Sequence, residues 1–192
     1  MRFLNIRSAP FVLAVCMAAG AAWAQSTAGG MAKPASADVA FMKQAAENGH
    51  AEVESSRMAL QKSPDPQVKR FAQTMVDDHQ KAGAELKQLA SSKGVEVPAE
   101  PSLIQRAKLK LLSASDGAEF SRNYMESMGV EAHKETIELF QKAATGAQDA
   151  DVKAFATKTL PTLKKHLSMA QELHGSLQGT AGSGQKAPST TR

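Results

Sequence analysis

The fold follows from residues 63–94, which read SPDPQVKRFAQTMVDDHQKAGAELKQLASSKG. Asp65 is a residue type that caps free backbone amides, and Pro66 occupies a first helical position, where its missing N–H costs little. Gly94 provides a stop signal. Between these signals, apolar and small residues recur three and four positions apart, which predicts a helix with one buried face. The predicted inward face carries Val68, Phe71, Met75, His79, Ala82, Leu86 and Leu89.

A helix of the same kind is predicted before this stretch. Ser36 is a suitable N-cap for it, and Pro64 ends it together with the turn residues around it. The predicted inward face carries Val39, Met42, Ala46, Gly49, Val53, Ser56 and Leu60. Helices one and two therefore form a predicted antiparallel hairpin.

A second hairpin is predicted from residue 116 onward. Asp116 and Glu119 have the spacing of a capping box for helix three, which ends at Gly146. Asp149 caps helix four, in which Pro161 is expected to produce a kink. The inward face of helix three carries Phe120, Tyr124, Ser127, Val130, His133, Ile137, Phe140 and Ala144. The inward face of helix four carries Val152, Phe155, Thr159, Leu163, His166, Ala170, Leu173 and Leu177.

The connection between the hairpins, residues 94–115, predicts the topology. It contains an extended stretch up to Pro101 and a short helix over Ser102 to Leu112. An extended stretch of this length and a short helix together reach roughly 40 Å, about the length of one main helix. The sequence therefore predicts an all-α, ferritin-like four-helix bundle with a long crossover between helices 2 and 3. An internal echo, DPQVKRFA at 65–72 and DADVKAFA at 149–156, is consistent with two related hairpins.

The first 24 residues have the pattern of a cleavable export signal. Arg2 and Arg7 precede an apolar run, and Ala22-Trp23-Ala24 forms a small-x-small cleavage pattern. Cys16 follows a bulky Val, which fits a lipidation signal poorly. We therefore expect residues 1–24 to be a signal peptide, 25–35 a flexible segment, 36–178 the bundle domain and 179–192 a disordered tail. The expected location is the periplasm, with outer-membrane association left open.

Composition narrows the classes of partner. Removing Arg2 and Arg7 with the signal lowers the formal net charge from +4 to +2, which does not favour nucleic-acid binding. No stretch after the signal approaches the roughly 20 apolar residues of a transmembrane helix. The sequence has neither a phosphate-binding loop nor a nucleophile–base pair, so no catalytic residues are assigned and an enzyme is not favoured. The partner is unknown, and an envelope protein is one candidate.

Four polar residues carry the functional prediction. His79, His133 and His166 lie on predicted inward faces, each near the middle of its helix. Glu52 lies at the edge of the inward face of helix one, also near mid-helix. Because mid-helix positions share one level in a bundle of matched helices, these four residues predict a metal site for zinc, iron or copper.

Neighbouring residues and other hypotheses remain open. Asp78, Glu131 and His50 are candidates for further ligands or for acceptors that orient the histidines. The same four residues could instead form a purely structural buried polar layer in a non-enzymatic envelope interaction or stress-protective module. Buried histidines could also make the bundle responsive to pH.

The usual di-iron site is not predicted. Ferritin-like di-iron proteins use Glu-x-x-His on two helices, and the only match here is Glu47 to His50. The residues three before His79, His133 and His166 are Val76, Val130 and Leu163.

Four phrases resemble a known bacterial family. They are AEVE at 51–54, FAQTMVDDH at 71–79, AH at 132–133 and LPTLKKHL at 160–167. Together they are similar to the ferritin-like family catalogued as domain of unknown function 4142, over roughly residues 39–173. This resemblance implies a ferritin-like bundle in the envelope of a Gram-negative-type bacterium and supplies no reaction.

Overall fold

The computed structural model describes residues 34–183, with side chains described through Gly179. Within that range all regular structure is helical, as predicted. The elements are α1 (Ser36–Lys62), α2 (Pro66–Ser92), α3 (Leu103–Ser113), α4 (Gly117–Tyr124), a π-helical segment (Met125–Ala132), α5 (His133–Gly146) and α6 (Ala150–Ser183). None of these helices is long and apolar enough to cross a membrane. The predicted signal peptide, Cys16 and most of the flexible segment lie outside the described residues.

The helix ends test the predicted caps. The Asp65 side chain accepts hydrogen bonds from Gln67 N and Val68 N, and Asp149 accepts them from Asp151 N and Val152 N. Both predicted caps are therefore confirmed, and both belong to the internal echo.

Two other predicted caps are wrong. The N-cap of α1 is Ala35, and no side chain caps that end, because Ser36 is already helical. Asp116 occupies the predicted N-cap position of α4, but the predicted capping box is absent, because its side chain makes no capping hydrogen bond. Its carboxylate lies 2.8 Å from Lys62 Nζ, which also donates to Ser113 O and Ser115 O. The lysine at the end of α1 draws the carboxylate away from the helix amides.

The buried side chains form two core clusters that give the helix directions. The first core cluster contains Phe41, Met42, Ala45, Ala46, Leu86, Ala90, Ile137, Phe140, Ala143, Ala147, Val152, Phe155, Ala156 and Leu163. The second contains Ala51, Ala59, Val68, Phe71, Ala72, Met75, Leu109, Leu112, Phe120, Tyr124, Met125, Met128 and Ala170. The first cluster thus combines the starts of α1 and α6 with the ends of α2 and α5. It follows that α1 and α6 run in one direction while α2 and the α4–α5 unit run in the other.

The crossover, residues 93–102 with α3, runs from the end of the molecule that holds the first core cluster to the end that holds the second. Val95 and Val97 pack against the first core cluster, whereas Leu109 and Leu112 of α3 belong to the second. The Ser102 side chain and Gln105 form a capping box at the start of α3. The crossover therefore runs along the unit, as its length predicted, and α2 lies parallel to the α4–α5 unit.

The third long helix departs from the predicted pattern at its centre. Met128 and Gly129 are buried, whereas the predicted Ser127 and Val130 are only partly buried. After Gly129 the next buried residue is His133, which lies five positions after Met128 and four after Gly129. The π-helical segment accounts for this spacing, because its wider turn accommodates one extra residue and shifts the inward face.

The last helix is longer than predicted. The sequence placed the end of the bundle at residue 178, but α6 continues to Ser183 and passes through Pro161 without ending. The remaining residues of the predicted disordered tail, 184–192, lie outside the described residues.

Candidate metal centre

Three histidines from three helices meet in the core between the two clusters. The ring centroids of His79 and His133 are 5.6 Å apart, and each of these rings lies 5.5 Å from that of His166. Each ring offers one nitrogen, and these three nitrogens lie within 4.8 Å of one another. The exposed fractions are 9% for His79 and 1% for the other two residues. We call this group the histidine triad.

Local packing brings two of these helices close together. Gly129, in the π-helical segment, lies one turn before His133, and Ala170 lies one turn after His166. A Cβ atom placed on Gly129 would approach Ala170 Cβ to 3.0 Å, so a larger residue would push the helices apart. The glycine therefore allows the close approach that brings His133 and His166 to one point.

Hydrogen bonds determine which ring nitrogens of two histidines are free. His133 Nδ1 lies 2.9 Å from Met128 O, and His166 Nε2 lies 2.9 Å from Asp78 Oδ2. A carbonyl or carboxylate oxygen only accepts, so each of these nitrogens donates its proton. In a neutral ring the opposite nitrogen then carries the lone pair. Those opposite atoms, His133 Nε2 and His166 Nδ1, are buried without a hydrogen-bond partner.

The third ring has the same property. His79 Nε2 is also buried and has no hydrogen-bond partner. Each member of the triad thus contributes one buried nitrogen whose hydrogen-bonding capacity is unused. Such groups are costly in a protein interior unless something occupies the space between them.

Burial keeps the three rings neutral. It lowers the pKa of His133 to about 4, and a backbone hydrogen bond from its ring to Met128 O opposes the shift. Burial, with repulsion from the other two histidines, holds the pKa of His79 well below its usual value. Burial likewise lowers the pKa of His166, although Asp78 opposes this. Neutral imidazole is the form that binds a metal ion, so the triad is ready to coordinate one at neutral pH.

Glu52 lies beside the triad but is not one of the mutually close ligands. Its Oε1 is 3.5 Å from His133 Nδ1, the nitrogen that faces Met128 O, and its Oε2 has no partner. Burial raises the pKa of Glu52 to about 8, so its carboxyl group is protonated at neutral pH. Glu52 therefore faces the Nδ1 side of His133, opposite the nitrogen that has no hydrogen-bond partner, and not the centre of the triad.

The other candidate residues have different positions. Asp78, a candidate ligand or orienting acceptor, precedes His79 in the sequence but contacts His166, because the two side chains face each other across α2 and α6. Glu131 and His50 are exposed. The carbonyl of Met128 takes the role proposed for Glu131 of orienting His133.

A cleft of about 900 Å³ adjoins the triad. His79 lines it, together with residues of α1, α2, α5, α6 and the start of the crossover. Sequence reasoning missed this cleft. The available signal was a set of small residues on facing helices, Ala45, Ala46, Gly49, Ala82 and Gly83.

Sequence reasoning also missed a buried carboxylate far from the triad. Asp38 accepts hydrogen bonds from Gln148 N and Asp149 N and so fastens the start of α6 to α1. Its partners are backbone amides 110 and 111 residues away, which no local pattern reveals.

These features define a class, that of helical proteins with three buried histidines at a single point of the core. The family described as "Domain of unknown function (DUF4142)" matches residues 23–173, and the chain belongs to that family, as its resemblance predicted. No curated protein matches the sequence.

Two solved structures are similar in fold. One is a DUF305 fragment from Deinococcus radiodurans, with 12% identity and a TM-score of 0.66, covering 74% of this chain and 97% of that one. The other is a conserved hypothetical protein, rv2844, from Mycobacterium tuberculosis, with 18% identity and a TM-score of 0.56, covering 73% of this chain and 92% of that one. At these identities the similarity concerns the fold alone.

Proposed function

We propose that this chain is an exported, periplasmic helical protein that binds one divalent transition-metal ion through His79, His133 and His166. One observation carries the proposal. Each of the three rings has one buried nitrogen without a hydrogen-bond partner, and the three rings meet at one point. A metal ion would satisfy all three nitrogens at once.

The ligand set favours zinc. A zinc ion held by three histidines at about 2.0–2.1 Å requires nitrogens roughly 3.4 Å apart in a tetrahedral site. The nitrogens of the triad lie within 4.8 Å of one another, so small ring rotations bring them to that spacing. Three protein ligands leave a fourth position for water or another ligand. Copper and iron also accept imidazole, and the experiment below separates them from zinc.

The hydrogen-bond partners of the triad also support metal binding. Histidine ligands usually donate their second nitrogen to a carbonyl or carboxylate, which fixes the ring orientation and makes the ligand more basic. Met128 O does this for His133 and Asp78 does it for His166. A purely structural polar layer has no need to leave the opposite nitrogens unpaired.

The proposal also includes a ferritin-like four-helix bundle as the fold and the periplasm as the location. The parallel course of α2 and the α4–α5 unit, with a crossover between them, supports a ferritin-like four-helix bundle. The missing second Glu-x-x-His motif supports a single metal ion rather than a di-iron pair. The export pattern of residues 1–24 supports the periplasm.

The test is metal analysis of untagged protein, followed by calorimetric titration and thermal melts with Zn²⁺, Cu²⁺ and Fe²⁺. We expect one Zn²⁺ per chain and a stabilisation of about 2.7 kcal/mol at a free zinc concentration of 100 times Kd. His133→Ala should abolish both. His174→Ala is the matched control, because His174 lies on α6 outside the triad, and it should bind like the wild type.

Equal metal content in wild type and His133→Ala would contradict the proposal. So would a wild-type melting temperature that none of the three metals changes. Either result would favour a structural polar layer in an envelope interaction module, for which a pull-down from envelope extracts becomes the productive experiment.

A further inference from the structure

The cleft beside the triad has an apolar floor and a charged rim. Buried residues form the floor, including Leu86, Phe140 and Phe155. Exposed residues form the rim, and its charged members include Arg57 and Lys87. A volume of about 900 Å³ lies within the range of pockets that hold small organic molecules. The cleft is therefore large enough for a ligand with an apolar body.

The cleft and the triad occupy adjacent layers of the same helices. Each of the four long helices contributes to the cleft a residue one turn away from its site residue. These residues are Gly49 relative to Glu52, Gly83 relative to His79, Thr136 relative to His133 and Leu163 relative to His166. A molecule in the cleft would thus extend along the helix axes toward the triad, and His79 lines the boundary.

The glycines keep this space open. A Cβ atom placed on Gly49 or Gly83 would meet nothing within 4 Å. Glycine within a helix is less stable than alanine by up to about 1 kcal/mol, so two glycines facing an open cleft are unfavourable for the helices themselves. Larger side chains at these positions would occupy the cleft.

Charge indicates which end of a ligand would meet the metal. A divalent ion held by three neutral imidazoles keeps its charge in a buried site, and an anionic fourth ligand reduces the cost of burying it. Among the described residues, the group close enough to share an ion consists of His79, His133 and His166, and the carboxyl group of Glu52 is not part of it. Arg57 and Lys87 outnumber the acidic rim residue Glu96, which favours the approach of an anion.

We infer that the cleft binds an organic monocarboxylate with an apolar body, and that its carboxylate fills the fourth coordination position of the metal held by the histidine triad. This inference rests on the proposed function. It assigns a ligand class to a site that the metal alone leaves incomplete.

The experiment uses the full chain loaded with Co²⁺, whose visible absorption reports its coordination. Butyrate, hexanoate and octanoate are titrated in turn. We expect each carboxylate to change the Co²⁺ spectrum and the affinity to rise roughly threefold to fourfold per added methylene, as expected for burial of an apolar chain.

Gly83→Leu tests the position of the ligand. It should weaken octanoate binding at least tenfold while leaving Co²⁺ affinity unchanged, because the new side chain fills the cleft and not the triad. Gly175→Leu is the matched control. It makes the same substitution at an exposed helical glycine that also has open space around it and does not line the cleft, so octanoate affinity should stay unchanged.

The outcomes separate the two proposals. If the chain binds neither Zn²⁺ nor Co²⁺, the proposed function and this inference both fail. If it binds only Zn²⁺, the same carboxylates are titrated into the zinc-loaded chain by calorimetry, with the same expected results. If Co²⁺ binds but no carboxylate changes its spectrum, as when Glu52 itself fills the fourth position, only this inference is overturned. Equal octanoate affinity in Gly83→Leu and Gly175→Leu would also overturn it.

Discussion

Two groups of three rings, built from nearly the same helices, differ in whether their surroundings meet the hydrogen-bonding needs of the ring atoms. In the first core cluster, Phe41, Phe140 and Phe155 form a phenylalanine trio with ring centroids 5.0, 5.9 and 6.5 Å apart. The centroids of the histidine triad are 5.5–5.6 Å apart. Both groups draw one ring from α5 and one from α6, and both are buried.

The difference lies in the ring edges. Phenylalanine rings need only close packing and edge-to-face contact, which the trio provides. Imidazole rings at the same spacing carry nitrogens, and three of these have no hydrogen-bond partner. Similar ring spacing therefore supports stability in the phenylalanine trio, whereas in the histidine triad it leaves three ring nitrogens without a hydrogen-bond partner. Predictions that separate the two groups therefore test the proposed function.

The largest effect is expected in the phenylalanine trio. Phe41→Ala should lower the free energy of unfolding by about 3–4 kcal/mol, because it leaves a cavity beside Phe140 and Phe155. Urea unfolding with and without Zn²⁺ provides the measurement. The same loss should occur under both conditions, since the ring partners of Phe41 are Phe140 and Phe155 and not the histidines of the triad. A loss that disappears with Zn²⁺ would mean that the two groups are not independent.

A somewhat smaller effect is expected from acid in the metal-free protein. Because burial lowers the pKa of His133 to about 4, its contribution to stability is complete above pH 6.5 and is lost as the pH falls through about 4. The expected loss from this residue is roughly 3 kcal/mol. Urea unfolding from pH 7 to 4 measures it, with His133→Phe as the control, which should show a shallower dependence. Parallel profiles would contradict the prediction.

Glu52 changes the pH dependence of stability in the opposite direction to His133, so its contribution has to be measured separately. Its pKa is raised to about 8, so its contribution is complete below pH 4.5 and is lost as the pH rises through 8. Between pH 6.5 and 4.5 it therefore offsets part of the acid loss. Glu52→Gln removes this offset, and its stability should fall more steeply with acid than that of the wild type.

The smallest effect concerns the orientation of His166. Asp78→Asn should weaken Zn²⁺ binding about 10- to 100-fold, because an uncharged amide supports the imidazole less well. Competition with a chelator measures this affinity. Asp77→Asn is the matched control, since Asp77 is exposed and bonds Gln73 instead. Equal affinities in the two variants would remove Asp78 from the proposed site.

Local signals made much of the fold predictable. The caps at Asp65 and Asp149, the stop at Gly94 and the short crossover helix depend on a few adjacent residues, and the structure has all of them. The parallel course of α2 and the α4–α5 unit followed from the length of the connection. The N-cap at Ser36 and the capping box at Asp116 were wrong, and the competing partner of Asp116, Lys62, is 54 residues away.

The site was predictable only in part. Mid-helix positions brought His79, His133 and His166 to one level, which helical periodicity can indicate. The direction of each ring and the choice of partner depend on contacts between helices, so the pairing of Asp78 with His166 and the position of Glu52 behind His133 could not be read from spacing. The π-helical segment also escaped prediction, because a regular period assumes that no residue is inserted.

The wider turn of the π-helical segment absorbs its extra residue, so both ring clusters depend on that segment keeping its present winding. If all eight residues of 125–132 wound as a regular α-helix, everything after them would turn by roughly 100° relative to everything before them. His133 would then turn away from His79 and His166, and Phe140, on the same length of helix, would turn away from Phe41 and Phe155. A substitution that regularises this segment would therefore disturb part of the hydrophobic core together with the proposed metal site, whereas loss of one residue within 125–132 would permit regular winding with both faces kept.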